Sequence, residues 1–129
     1  IWHKDSQLYM MDLKDNSYRC VDEINSPDVE SYHSWSSSGR WVVFSSRRED
    51  SFHTRLYLTY MYDDGSFSKP FILPQKDPEF SRKFMYSFNI PEFTVDPVRI
   101  SSKEFASFIK NTDASPVSTE SKIGECEYY

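Results

Sequence analysis

Glycine is scarce: Gly39, Gly65 and Gly124 are the only three in 129 residues. Glycines this scattered cannot form a phosphate-cradling loop or a dinucleotide fingerprint, both of which need clustered glycines for close backbone approach. No two of them lie four apart, which excludes a GxSxG nucleophile elbow. Cysteine is limited to Cys20 and Cys126, without CxxC spacing, so no thiol metal site or redox pair is encoded. A single bridge between these two or a pair of free thiols are both open. Long apolar runs are missing as well. The longest, Trp41-Val42-Val43-Phe44, is far short of the roughly 18–20 residues that span a bilayer. Basic excess is absent too, with 15 Lys+Arg against 20 Asp+Glu and a formal net charge of -5. That balance argues against nucleic acid and against a polybasic membrane patch. The chain opens at Ile1 with no Met and no basic or apolar leader.

What is present is aromatic, at 17% of residues, and it is arranged in short runs between turn signals. Residues 7–12 (Gln-Leu-Tyr-Met-Met-Asp) read as a strand, Asp15-Asn16-Ser17 as a turn and Tyr18–Val21 as the returning strand. Further strands are expected at 32–36, 40–46, 55–61 and 67–73. Asp64-Gly65 forms a hairpin turn, and Pro70 marks an edge or a bulge. The Trp-Val-Val-Phe run suits a strand covered on both faces, with Trp35 and Trp41 expected in the core.

After Leu73 the pattern changes. Asp77 and Pro78 read as a helix start, and Phe80, Phe84 and Phe88 recur every four residues, which predicts a helix over 78–87. Ser101 and Glu104 have capping-box spacing ahead of Phe105, Phe108 and Ile109, which predicts a second helix over 102–110. Residues 112–129 are polar and are expected to form a flexible tail.

No catalytic constellation accompanies these elements. His3, His33 and His53 are isolated histidines, so helix-type zinc pairs are excluded. His33 falls in a strand, where a hydrogen-bonded structural role is the plain expectation. Glu49-Asp50 with Asp63-Asp64 could bind calcium through oxygens, yet acidic pairs at turns are ordinary turn chemistry. Arg47-Arg48 could fork a carboxylate, with a solvated loop as the plainer account. His33, Arg47 and Arg48 are the candidate partner-binding residues. No catalytic residue, metal ligand or cofactor site is assigned.

Two segments echo each other. Gln7-Leu8-Tyr9-Met10 and Arg55-Leu56-Tyr57-Leu58 are each followed by an Asp-centred turn and an aromatic residue. Repeats of about 40–50 residues with four strands each are a propeller signature. Residues 34–50 (Ser-Trp-Ser-Ser-Ser-Gly-Arg-Trp-Val-Val-Phe-Ser-Ser-Arg-Arg-Glu-Asp) resemble a repeat of the TolB-type, WD-like β-propeller family. Ser37 and Ser38 stand where that family commonly has Pro and Asp.

The resemblance implies a mainly all-β fold of about one and a half four-stranded antiparallel propeller blades with a short helical C-terminal extension. It places a partial blade at 1–26 and a full blade at 30–75. The extension at 77–111 would pack on the blades, and a closed ring would need several more repeats. The chain is therefore expected to be the C-terminal piece of a longer protein. The family implies a non-enzymatic interaction module in the periplasm of the bacterial envelope, with protein partners such as an envelope lipoprotein, and the open blade face suits a homodimer. Oligogalacturonate-lyase-like or prolyl-oligopeptidase-like propellers, or a free-standing small β domain, are the alternatives.

Overall fold

The computed structural model describes residues 3–112. Two compact units divide between Val95 and Asp96. Among the described residues, the first holds six strands and a single helical turn, and the second holds one helix. The fold is mainly β, in two antiparallel sheets.

Strands β1 (Tyr9–Met11) and β2 (Tyr18–Cys20) pair in one sheet, with Met10 opposite Arg19. Their connection is local chemistry: Asp15 accepts the Ser17 N–H at 2.9 Å, and Asn16 takes the left-handed conformation at φ 59°. The second sheet is a meander of β3 (Glu30–Trp35), β4 (Trp41–Ser46), β5 (Arg55–Tyr60) and β6 (Phe71–Ile72). Gly39, at φ 67°, makes the β3–β4 corner. The Ser36 hydroxyl accepts the Trp41 N–H at 3.1 Å, and the Ser38 hydroxyl accepts the Arg40 N–H at 3.4 Å. These hydroxyls supply the turn bonds that an Asp would otherwise give. The 67–73 strand is broken. Phe67 bridges Met61, and regular pairing resumes only after Pro70, which has no N–H to donate.

Alternation on β4 and β5 makes two faces. Val42, Phe44 and Tyr57 bury against Val21, Ile24 and Phe67, with Leu8 and Met10 of the first sheet packed alongside. This cluster is the core, and it lies between the two sheets. On the opposite face, Val43 is buried, but Trp41 remains 39% exposed in edge contact with Tyr60 and Phe71. Trp35 is 40% exposed. The expectation that both tryptophans are core is therefore corrected. Their rings lie where neither face of the meander is fully covered.

The predicted helix over 78–87 contracts to α1 (Phe80–Lys83). Phe80, Phe84 and Phe88 do stack in series, at centroid distances of 4.8 and 5.1 Å, but the helix ends before Phe84, whose own backbone is extended. Tertiary bonds outcompete the helix there. Buried Arg55 donates to the Phe84 and Tyr86 carbonyls, both at 2.7 Å, while the Thr54 carbonyl takes the Phe88 N–H at 3.0 Å. The Ser45 hydroxyl donates to the Phe88 carbonyl at 3.2 Å, fixing this segment to the sheet.

In the second unit, α2 (Ser102–Asn111) carries the capping box read from the sequence, with Ser101 and Glu104 bonded reciprocally. None of its residues is buried, so capping carries an unusual share of its stability. Ser101→Ala is expected to cost about 1 kcal/mol of helix stability. Faster amide exchange at Lys103 and Glu104 would report it, and unchanged exchange would refute it.

Candidate functional site

The three candidate residues fall into two environments. Arg47 and Arg48 follow β4 and turn inward at the Glu30 end of the sheet. Arg47 Nη2 lies 3.2 Å from Asp28 Oδ1, and Arg48 Nη2 lies 3.0 Å from Glu30 Oε1. Arg48 also donates to the Ile24 carbonyl at 2.6 Å and to the Ser46 hydroxyl at 2.9 Å. Its guanidinium stacks 4.6 Å from the Tyr57 ring centroid and 5.4 Å from that of Phe44. A solvated charge run is thus replaced by a buried ion-pair cluster. The arginines act within the chain, tying the Ile24 turn to the meander.

Glu30 is the centre of that cluster. Its side chain is fully enclosed and accepts from the Ser26 hydroxyl, while Oε2 has no hydrogen-bond partner among the described residues. Burial raises its pKa against the opposing pull of Ser26 and Arg48. Burial, aided by Glu49, pushes the Tyr57 hydroxyl up to about 12. The Ser51 side chain and the Val29 N–H lower Asp28. Nearby, Asp50 is lowered to about 2. Burial opposes that shift, and bonds from the His53 N–H, the His53 ring and the Phe52 N–H outweigh it.

His33 sits apart from the arginines. It occupies the irregular part of β3, where the register slips between Ser31 and Ser34 and Tyr32 takes φ 45°. It is exposed and its ring makes no hydrogen bond among the described residues, so the expectation of a hydrogen-bonded side chain is corrected. Instead it lines an apolar groove of about 200 Å³ with Tyr9, Met11, Trp35, Val42 and Phe67. The groove opens where β1 and β3 diverge from their junction at Ser6 and Glu30, whose main chains bond at 2.9 Å. Sequence reasoning named His33 but not the groove, because β1 and β3 belong to different sheets.

The groove offers apolar side chains and one imidazole. Among the described residues, no group of three or more His, Cys, Asp or Glu is arranged to hold a metal ion. No helix there is long and apolar enough to cross a membrane. Compared with known proteins, the chain matches no family model, no curated sequence and no solved structure.

Proposed function

We propose that this chain is a non-enzymatic protein-recognition module, the C-terminal part of a TolB-like β-propeller of the bacterial cell envelope. The carrying observation is the four-stranded antiparallel meander β3–β6, backed across its apolar core by a separate two-stranded sheet. Stacked antiparallel sheets of this size are the building plan of propeller blades. In this reading, residues 30–75 are one blade and β1–β2 are half of the preceding one. The resemblance over 34–50 falls on the end of β3, its corner and β4, where a blade repeat would place it. The exposed Trp41, Tyr60 and Phe71 face is then where a neighbouring sheet packs. Partners are proteins, an envelope lipoprotein among them, and they dock at the groove beside His33 and Trp35.

The test is site-specific photocrosslinking in bacterial cells, with a benzophenone amino acid in place of His33. One reproducible envelope protein should be captured, and its yield should fall severalfold when Trp35→Ala is added. Capture insensitive to Trp35→Ala, or a metal-dependent lyase activity of the purified chain on oligogalacturonate, would overturn the reading.

A further inference from the structure

Arg55 opens β5 and is only 3% exposed, yet among the described residues no carboxylate lies within ion-pair distance of it. A guanidinium carries five N–H donors. Two of those on Arg55 are engaged by the Phe84 and Tyr86 carbonyls, which are neutral. The other three have no partner among the described residues. Arg47 and Arg48, by contrast, each meet a carboxylate, at 3.2 and 3.0 Å. A buried cation held by carbonyls alone is costly, and an anion beside it removes much of that cost.

Arg55 faces a cavity of about 330 Å³, which it lines with Glu49, Asp50, Ser81 and Arg82. The charges are sorted by element. Both carboxylates come from the loop between β4 and β5, and the two cations from the start of β5 and from α1. Asp50 is already held by the Phe52 and His53 N–H groups and by the His53 ring. Glu49 is exposed and forms no ion pair among the described residues. Arg82 reaches Glu79 at 3.6 Å, with both side chains exposed, a contact of little strength. A simple anion would meet Arg55 and be repelled by Glu49 and Asp50. A simple cation would meet the reverse. A zwitterion complements both sets of charges.

A second, mainly apolar cavity of about 60 Å³ adjoins the first, since Arg55 and Ser81 line both. Leu56, Ile72, Leu73, Phe80 and Phe88 supply its apolar lining. It is well under the roughly 150 Å³ that takes a benzene ring, so it suits a branched aliphatic chain and not an aromatic one. Every residue of the two cavities lies within 49–88, apart from the His33 groove and from the Trp41, Tyr60 and Phe71 face.

We propose that the two cavities together bind a free α-amino acid with a small branched side chain, of valine or leucine size. Its carboxylate takes the remaining donors of Arg55 and the Ser81 hydroxyl, and its ammonium meets Glu49 and Asp50. Its side chain enters the smaller cavity beside Leu56 and Ile72. This site goes beyond the recognition reading and does not rest on it.

The test titrates the purified 129-residue chain with leucine, followed by calorimetry and NMR. Binding should saturate at millimolar leucine or below and shift the Arg55 Nε–H, Ser81 and Ile72 signals. 4-Methylpentanoate lacks the ammonium and 3-methylbutylamine lacks the carboxylate, and each should bind at least about tenfold more weakly. Phenylalanine should lose at least about as much, its ring being too large for the smaller cavity. Glu49→Gln, at an exposed position, should weaken leucine severalfold and leave 4-methylpentanoate no weaker. Arg55→Gln should abolish binding, and if it also melts early the Glu49→Gln comparison decides in its place. No saturable leucine binding overturns the proposal. So does 4-methylpentanoate or inorganic phosphate binding as tightly as leucine, which would leave a plain anion site. Phenylalanine as tight as leucine overturns it too, because the smaller cavity would then not hold the side chain. Each of these outcomes leaves the crosslinking result at position 33 untouched.

Discussion

Arg48→Met should unfold the chain far more readily than a change at a solvated loop arginine would. The expected loss is about 3–5 kcal/mol, because the substitution leaves the enclosed Glu30 carboxylate without its cation. The Ile24 carbonyl and the Tyr57 ring lose a partner at the same time. At about 4–8 °C per kcal/mol for a domain of this class, the melting temperature should fall by more than 10 °C. Combining Arg48→Met with Glu30→Met should recover much of the loss, since removing both charges deletes the desolvation penalty that removing one exposes. A double variant no better than the single would show that the guanidinium's other contacts, not the ion pair, dominate.

The same pair sets a pH dependence whose sign is fixed by burial. The Glu30 pKa in the folded chain stands above its ordinary 4.5 because desolvation outweighs Ser26 and Arg48. A raised carboxylate binds its proton more tightly folded than unfolded. Its stabilising contribution is complete below 4.5 and is lost as pH rises through the folded value. Without Arg48 the folded value climbs further. The deficit of Arg48→Met should therefore be largest near neutrality and shrink as the solution is acidified. A deficit that does not change with pH would mean that Glu30 is not the group left stranded. Asp28 and Asp50, both lowered, act in the opposite sense and weaken the fold only at lower pH.

How much of this could be read from residues alone depends on the range of the interaction. The Asp15–Ser17 turn, the Asp64-Gly65 corner and the Ser101–Glu104 box are set by neighbours within three positions, and all three form. The phenylalanine series 80, 84, 88 misleads because its rings do stack, yet the helix that a spacing of four suggests stops at Lys83. Arg55, 29 and 31 residues upstream, ends the helix by donating to the Phe84 and Tyr86 carbonyls. Arg47-Arg48-Glu49-Asp50 looks solvated because its counter-charges, Asp28 and Glu30, are distant in sequence and arrive only when β3 pairs with β4. The groove was illegible for a similar reason. It lies between strands of different sheets, and composition carries no record of which strands do not pair.

Phe44→Ala should match the arginine variant in size while failing differently. Phe44 has no exposed surface, packs 6.0 Å from Tyr57 between ring centroids, and sits in the cluster shared by the two sheets. Truncating it should cost about 3–5 kcal/mol, the transfer loss of the ring together with the cavity it leaves. A two-stranded sheet is at best marginal alone, so β1–β2 depends on that cluster. Amide protection at Arg19 and Val21 should then drop before protection at Thr59, which keeps its β4 partner. Trp41→Ala, on the exposed face, should cost well under half as much, since a ring already 39% exposed leaves less apolar surface to forfeit. Should Phe44→Ala lose less than about 1 kcal/mol with the hairpin still protected, burial would not be what fastens the sheets together. That role would pass to the Glu30 N–H bond to the Ser6 carbonyl, the Ser6 hydroxyl bond to the Glu30 carbonyl, and the Asn25 side chain, which both donates to and accepts from Leu8. Exchange at the Leu8 and Glu30 amides separates those two accounts directly.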